Sequence, residues 1–268
     1  MSFKYGLTPS TVPSWNSGGT SGVLPAEEKR ATFDVEKMTN FLDGGVEKTK
    51  RRRWIVSQTE GEDFSQRSEM GRADQMKEHV RSFIDIHKEF GEKGYVPKDR
   101  TEVSWMSINS VHKGSLMNHY GLFLPTLAGQ ASPEQLLLWA PKTLSFQILG
   151  SYAQTELGHG SNVRGLETEA RFFREEGGSG YFLLNTPNLT SMKWWPGTLG
   201  KIATHATVYA QLIIDNRSYG LHVFMVQIRD ANGMPLPGIE LGDLGTKLGD
   251  AANDTGKIYD LPTSRLVY

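Results

Sequence analysis

The sequence from Tyr152 to Thr168 reads Tyr-Ala-Gln-Thr-Glu-Leu-Gly-His-Gly-Ser-Asn-Val-Arg-Gly-Leu-Glu-Thr, and it marks the point where helical patterns give way to strand patterns. Gly158 and Gly160 have no side chain, so a ligand can approach the backbone closely there. The hydroxyl of Thr155 both donates and accepts hydrogen bonds, and neighbouring backbone amides add donors. Most loops of this composition are ordinary turns, so a second element is needed before this one indicates a ligand site.

That second element is Lys193-Trp-Trp-Pro-Gly197. Adjacent tryptophans before a Pro-Gly turn provide a rigid aromatic wall that suits the isoalloxazine ring of a flavin, and Gly197 allows backbone contact with it. The pyrimidine edge of that ring alternates hydrogen-bond acceptors with one donor, which the Thr155 loop can match. Taken alone, Trp194 and Trp195 fit core filling equally well, because tryptophan is usually largely buried.

Helical patterns dominate the chain before this point. From Gly6 to Pro25, 14 of 20 residues are Gly, Ser, Thr or Pro, so residues 1–25 are predicted to form a flexible arm. Asp43-Gly-Gly45 predicts a helix end, and Ser132-Pro-Glu-Gln135 predicts a helix start with a capping box. A longer helix is predicted from the apolar stripe of Met76, Val80, Phe83, Ile84, His87 and Phe90.

Short strand-like runs follow, separated by turn material such as Asp215-Asn216. They are Thr168–Phe173, Tyr181–Leu184, Thr207–Ile214, Leu221–Arg229 and Lys257–Leu261. We therefore expect an α+β protein with a helical domain at residues 26–150 and a mainly antiparallel β domain at residues 151–268.

Composition excludes several classes of protein. The chain has 29 basic and 30 acidic side chains, so no strong field favours nucleic acid. It contains no cysteine, which excludes disulfides and thiolate metal sites. The longest apolar run, Leu136–Ala140, is far shorter than the roughly 20 residues that span a bilayer, so no membrane span is expected.

Two further groups of residues are candidates for functional sites. The basic run of Lys48, Lys50 and Arg51–Arg53 fits a solvated helix face better than a nucleic-acid patch, given the neutral total charge. The seven histidines form no metal-binding pattern, although His112 and His119 are compatible with one helix face, and no metal site is expected. His159 is expected to hydrogen-bond its own loop.

The two central elements closely resemble the flavin-contacting segments of the acyl-CoA oxidase family, and the resemblance covers roughly residues 33–268. Further similar segments are Leu42-Asp-Gly-Gly45, Thr49-Lys-Arg-Arg-Arg53, Asn109-Ser-Val-His112, Phe123-Leu-Pro-Thr126, Pro235-Leu-Pro-Gly238 and Asp243-Leu-Gly-Thr-Lys247 through Asp250.

The resemblance implies an acyl-CoA dehydrogenase/oxidase-like fold, with an N-terminal helical domain, a middle β-barrel domain and FAD between them. Thr155 and Gly197 correspond to the family's FAD-contacting threonine and glycine, and Trp195 is assigned as a third FAD contact. The resemblance also implies fatty acyl-CoA and oxygen as partners, a homodimer and a peroxisomal location, although no targeting signal is visible in the sequence.

The implied reaction is the step of fatty acid β-oxidation that converts fatty acyl-CoA to trans-2-enoyl-CoA, with electrons passing from flavin to oxygen to give hydrogen peroxide. An acyl-CoA dehydrogenase is the nearest alternative enzyme, although dehydrogenases usually carry proline where Leu157 stands. We expect the family's C-terminal helical region, which supplies the catalytic base, to be missing from this chain. Glu156 lies in a loop that the family uses to hold cofactor, so no catalytic residue is assigned. A truncated, non-catalytic flavin-binding fragment is therefore the other alternative.

Overall fold

The computed structural model describes residues 23–58, 69–95, 97, 100–106, 116–249, 252–260 and 264–267. Most of the predicted arm, the segment Asn109-Ser-Val-His112 and Asp250 lie outside these residues. The chain divides into two units, Met1–Glu62 and Asp63–Tyr268. The predicted domain boundary at 150/151 coincides with the first strand but not with this division, so the domain boundaries stay a prediction.

The smaller unit contains α1 (Val23–Arg30), α2 (Val35–Asp43) and α3 (Val46–Ser57). Residues 23–25 of the predicted arm already belong to α1, because Pro25 is tolerated in a first helical turn, where its missing N–H has no partner to lose. The glycine stop after α2 is confirmed: Gly44 has φ +87°, and its N–H bonds the carbonyl of Phe41 at 3.1 Å.

The basic run lies on α3, and three of its cations are paired with carboxylates of the same unit. Arg53 binds Glu36 with two hydrogen bonds of 3.0 and 2.6 Å. Arg52 and Lys50 each lie 2.9 Å from a carboxylate, those of Asp43 and Glu47 respectively. This pairing supports the interpretation of the run as a solvated helix face.

The larger unit begins with helices, and its longest helix buries the predicted stripe. Its α-helices are α4 (Arg72–Glu92), α5 (Arg100–Met106), α6 (Leu124–Gln130) and α7 (Pro133–Leu144). On α4, Phe83 packs in a core cluster with Val103 and Tyr120, and Val80 and Ile84 pack against the same cluster. The predicted capping box starts α7: Ser132 Oγ accepts from Gln135 N at 3.3 Å, and Gln135 Oε1 accepts from Ser132 N at 3.0 Å.

A π-helical turn, His119–Phe123, precedes α6. Pro125 has no amide hydrogen to continue the normal ladder, which accounts for a wider turn just before it. The turn places Phe123 over β1 (Gly150–Ala153), where a Cβ added to Gly150 would lie 2.1 Å from the Phe123 ring. His119 is fully buried in this turn; its Nδ1 accepts from Gly150 N at 2.9 Å. Its Nε2 therefore carries the proton and donates to the carbonyl of Thr143 at 3.1 Å.

Nine strands form two sheets among the described residues. After β1 they are β2 (Glu169–Arg174), β3 (Gly180–Asn185), β4 (Lys193–Trp194), β5 (His205–Ile214), β6 (Arg217–Gln227), β7 (Ile239–Asp243), β8 (Gly256–Asp260) and β9 (Ser264–Val267). In the larger sheet β5 pairs in parallel with β1 and β2 and antiparallel with β6, and β3 joins β2 to β9. The smaller sheet has the antiparallel order β4-β8-β7.

The α+β class and the mainly antiparallel pairing are confirmed, but the expected barrel is not seen. A barrel requires every strand to have two neighbours. Among the described strands, β6 pairs only with β5 and β9 pairs only with β3, so the larger sheet has open edges. The predicted turn between β5 and β6 is confirmed, because Asp215 and Asn216 both have positive φ, +49° and +60°, as a type I′ hairpin turn requires.

Among the helices that the structure describes, none is both long enough and apolar enough to cross a membrane.

Candidate functional site

The two predicted flavin-contacting segments lie side by side. Trp194 N donates to the carbonyl of Thr155 at 3.0 Å, and Leu157 N donates to the carbonyl of Met192 at 2.9 Å. Thr155 is half-buried and lies two residues after the end of β1. The structure therefore joins, through backbone hydrogen bonds, two segments that are about forty residues apart in the sequence.

A buried ion pair also joins the two segments. Lys193 Nζ lies 3.0 Å from Glu156 Oε1, and neither side chain is exposed. Glu156 also accepts from the backbone N–H groups of Glu167 and Thr168, both at 2.8 Å, and from the Thr168 hydroxyl at 2.5 Å. His159 Nδ1 lies 3.1 Å from Glu156 Oε2, so His159 bonds its own loop, as expected.

This network defines what Glu156 can do. Burial by itself would raise the pKa of the Glu156 carboxyl, but the charge of Lys193 and the hydrogen bonds from Thr168 and Glu167 hold it below its ordinary value. Glu156, His159 and Glu167 place potential metal-ligand atoms within 4.8 Å of one another. The ammonium group of Lys193 already balances the negative charge of Glu156, and both carboxylate oxygens of Glu156 accept hydrogen bonds. Glu156 is therefore an internal anchor of the loop and is not available as a general base.

The two loop glycines have different surroundings. A Cβ added to Gly158 would lie 2.8 Å from Thr190 Cβ, so this glycine makes room for a neighbouring side chain. A Cβ added to Gly160 would meet nothing within 4 Å, and Gly160 is exposed. The expectation that both glycines admit a ligand is thus corrected for Gly158, whose free face is filled by Thr190. Only Gly160 presents an open backbone.

The two tryptophans also differ. Trp194 is half-buried in β4, whereas Trp195 is 62% exposed. Trp195 has φ +59°, a left-handed conformation that is unfavourable for a bulky residue. A strained residue that exposes a large aromatic surface is typical of functional sites, where the surrounding structure holds the strain. The indole of Trp195 is therefore accessible from solvent, while core filling describes Trp194 better.

Gly197 is buried, and carboxamides fill the space beside it. A Cβ added there would lie 2.0 Å from Nδ2 of Asn118 and 3.3 Å from Nδ2 of Asn253. Gly197 is not among the residues with positive φ, so its lack of a side chain provides space and not backbone freedom. Sequence reasoning missed both asparagines, because nothing in their local sequence indicates that they meet Gly197.

The segment that follows Gly197 is held by two buried charged residues. Asp254 Oδ2 accepts from Lys201 N and Ile202 N, both at 2.8 Å, and the Asp254 carbonyl accepts from Gly200 N at 2.9 Å. The guanidinium of Arg229 donates to backbone carbonyls of the same segment, those of Leu199, Gly200 and Ala203. Burial raises the pKa of Asp254 to about 6. Side chains from elsewhere in the chain thus bind both the backbone N–H groups and the backbone carbonyls of this segment.

The chain is similar to several known proteins. Residues 34–149 match the family described as acyl-coenzyme A oxidase N-terminal. A peroxisomal acyl-coenzyme A oxidase 1 from Phascolarctos cinereus is 38% identical over 256 residues, covering 91% of this chain and 38% of that protein. A solved acyl-CoA oxidase from tomato is 35% identical with a TM-score of 0.80, covering 91% of this chain and 38% of that one. Acyl-CoA oxidase-2 of Caenorhabditis elegans, solved with FAD, ascaroside-CoA and ATP, is 36% identical with a TM-score of 0.78, covering 92% and 38%.

These relatives are similar to the chain in both sequence and three-dimensional structure. The chain spans 38% of the length of each of them. The matched region includes the helices of residues 34–149 and extends over most of the remaining chain. The chain therefore belongs to the acyl-CoA oxidase family of oxidoreductases.

Proposed function

We propose that this chain is the flavin-binding part of an FAD-dependent acyl-CoA oxidase. The proposed reaction converts fatty acyl-CoA to trans-2-enoyl-CoA, with oxygen as the electron acceptor and hydrogen peroxide as the second product. The observation that carries the proposal is the hydrogen bond from Trp194 N to the Thr155 carbonyl, which unites the two segments that resemble the family's flavin contacts. The nematode relative solved with FAD supports the choice of cofactor.

The residues present fit a flavin. Trp195 offers an exposed indole face, and Gly160 offers an open backbone. In this proposal the hydroxyl of Thr155 hydrogen-bonds the polar edge of the ring and Trp195 lies against its plane. Gly197 is proposed as a backbone contact from the family resemblance, with Asn118 in the place of its missing side chain. When bound, FAD supplies the hydride acceptor of the reaction. The protein's contribution is to fix the ring on a preorganised surface.

Glu156 is excluded from the role of base, because Lys193, Thr168 and backbone amides occupy its carboxylate. No catalytic residue is therefore assigned among the described carboxylates of the flavin loop. Positioned proton transfer typically contributes about 10²- to 10⁴-fold to a rate. We accordingly propose that the 268 residues alone bind flavin but turn over acyl-CoA poorly.

The wider organisation is proposed from the family. We propose a helical domain at residues 26–150, a β domain at residues 151–268 that completes a barrel, and a homodimer as the working form. A peroxisomal location is proposed because the relative from Phascolarctos cinereus is a peroxisomal oxidase.

Purified residues 1–268, mixed with excess FAD and freed of unbound cofactor, test the proposal. We expect the visible absorption of protein-bound flavin, and little hydrogen peroxide after addition of palmitoyl-CoA in air. A complete acyl-CoA oxidase assayed in parallel is the positive control for peroxide release. A chain that folds but retains no flavin contradicts the cofactor proposal. Robust peroxide release contradicts the proposal that the 268 residues turn over acyl-CoA poorly.

A further inference from the structure

Two carboxamides from distant parts of the chain converge on Gly197. Asn118 lies immediately before the π-helical turn His119–Phe123, and Asn253 lies shortly before β8. Their Nδ2 atoms would lie 2.0 and 3.3 Å from a Cβ at Gly197. The glycine therefore leaves a space that one carboxamide fills and a second one borders.

Neither carboxamide has a partner within the part of the chain that the structure describes. Asn118 precedes a helical turn but makes no capping hydrogen bond with it. The Oδ1 atom of Asn253 is buried and accepts no hydrogen bond. Buried polar groups in folded proteins are nearly always hydrogen-bonded, and an unpaired one calls for an explanation such as a bound ligand.

Their neighbours indicate which ligand this is. Trp195, two residues before Gly197, exposes its indole with a strained backbone. Tyr152 to Thr155 lead into the adjoining loop, and Ser151 Oγ bonds the Gly197 carbonyl at 2.7 Å. The unpaired carboxamides thus lie at Gly197, two residues along the chain from the indole already proposed to meet the flavin ring. A carboxamide offers N–H donors and a carbonyl acceptor, which complement a ring edge that carries several acceptors and one N–H.

We propose that Asn118 and Asn253 are two further flavin-contacting residues. The N–H groups of Asn118 donate to acceptor atoms of the isoalloxazine ring, and the carboxamide of Asn253 hydrogen-bonds the same edge. This inference rests on the proposed FAD binding and adds to it the residues that read the polar edge of the ring. Gly197, in this view, is a glycine because a side chain there would displace Asn118.

The decisive variants are Asn118→Leu and Asn253→Leu, which keep the number and branching of the side-chain heavy atoms and remove the polar atoms. Asn118→Asp is the isosteric variant that replaces the N–H donors with a carboxylate. Asn232→Leu, on the exposed turn before Met234, is the matched control. FAD affinity is measured by titration of flavin fluorescence, the spectrum of bound flavin is recorded, and thermal unfolding of the FAD-free chain reports on folding.

We expect FAD affinity to fall by about 2- to 10-fold for each leucine variant, the range for one lost hydrogen bond, with Asn118→Asp at least as weak. The bands of the flavin that remains bound should shift, while the control matches the wild type. The thermal midpoint of the FAD-free leucine variants should be unchanged or higher, because an unpaired polar group has been removed.

Distinct results overturn the inference. Wild-type affinity and spectrum in both leucine variants would show that the carboxamides do not touch flavin. A lower thermal midpoint with unchanged affinity would assign them a structural role. If midpoint and affinity both fall, an unshifted flavin spectrum rejects the inference and a shifted one supports it. A folded wild-type chain that binds no FAD would instead overturn the proposed function, and this inference with it.

Discussion

The ammonium group of Lys193 lies 3.0 Å from the carboxylate of Glu156, and both side chains are completely inaccessible to solvent. Lys193 Nζ also donates to the carbonyls of Gln154 and Tyr209, at 3.1 and 2.7 Å. The pair therefore ties together the Thr155 loop, β4 and β5. Water cannot reach either charge to replace a lost partner. The arrangement of the Thr155 loop, β4 and β5 therefore depends on both residues being present.

Lys193→Met should lower the free energy of unfolding by about 3–5 kcal/mol, because it leaves the Glu156 carboxylate buried without its counter-charge. The double variant Lys193→Met/Glu156→Gln should recover part of that loss. Urea unfolding followed by tryptophan fluorescence measures both. Arg174→Met breaks a pair whose side chains are 67% and 73% exposed, and as a control it should cost less than about 1 kcal/mol. Equal losses at both sites would refute the argument.

Asp254 should make stability depend on pH in the acid range. Burial raises its pKa to about 6 from an ordinary value of 3.8, against the opposing effect of Arg229 and the backbone N–H groups of Lys201 and Ile202. A carboxyl whose folded-state pKa is raised stabilises the fold fully below the unfolded pKa. That contribution is lost as pH rises through the folded pKa, here between about 4 and 6.

Asp254→Asn should therefore gain relative to the wild type as pH rises through this window, by up to about 3 kcal/mol across the full shift. Asp243, Arg72 and Lys201 also carry charge nearby, so urea unfolding of variant and wild type is compared at each pH and only their difference is used. Asp215→Asn, which removes an exposed carboxylate, is the control. A difference for Asp254→Asn that does not change with pH would mean that its pKa is not raised.

Thr155→Ala should weaken FAD retention by the loss of one hydrogen bond, about 0.5–1.5 kcal/mol or roughly up to tenfold in affinity. Gly197→Trp should weaken it more, because even a Cβ there collides with Asn118. Flavin retained after gel filtration measures both effects. Thr126→Ala, on α6, changes the same residue type away from the loop and is the control. Undiminished flavin in both loop variants would remove Thr155 and Gly197 from the site.

Alanine substitutions at Gly158 and at Gly160 should have different effects on the stability of the chain and on its affinity for FAD. Gly158→Ala should destabilise the FAD-free chain, because its Cβ would lie 2.8 Å from Thr190 Cβ. Gly160→Ala has open space around it and φ outside the positive region, so stability should change little. If Gly160 faces the cofactor, its added methyl group should lower FAD affinity without lowering the thermal midpoint. The opposite assignment of the two effects would contradict the loop geometry.

Local features of the fold could be predicted because they depend on neighbours in the chain. The capping box at Ser132, the glycine stop at Gly44 and the turn at Asp215-Asn216 each use backbone groups within a few residues. The α4 stripe follows the helical period. The strands β1, β4, β7 and β9 were not predicted, because short runs of two to five residues rarely show a readable alternation. Resemblance of motifs was enough to identify the family.

Local sequence patterns were therefore enough to predict α4, the end of α2, the start of α7 and the turn between β5 and β6. Only the tertiary structure decided that β1 and β2 pair in parallel with β5 and leave open sheet edges. It alone placed Lys193 on Glu156, Thr190 against Gly158, and Asn118 and Asn253 beside Gly197. The physical reason is that such contacts join residues far apart in the chain, and their geometry follows from how the whole unit packs, which no local propensity encodes.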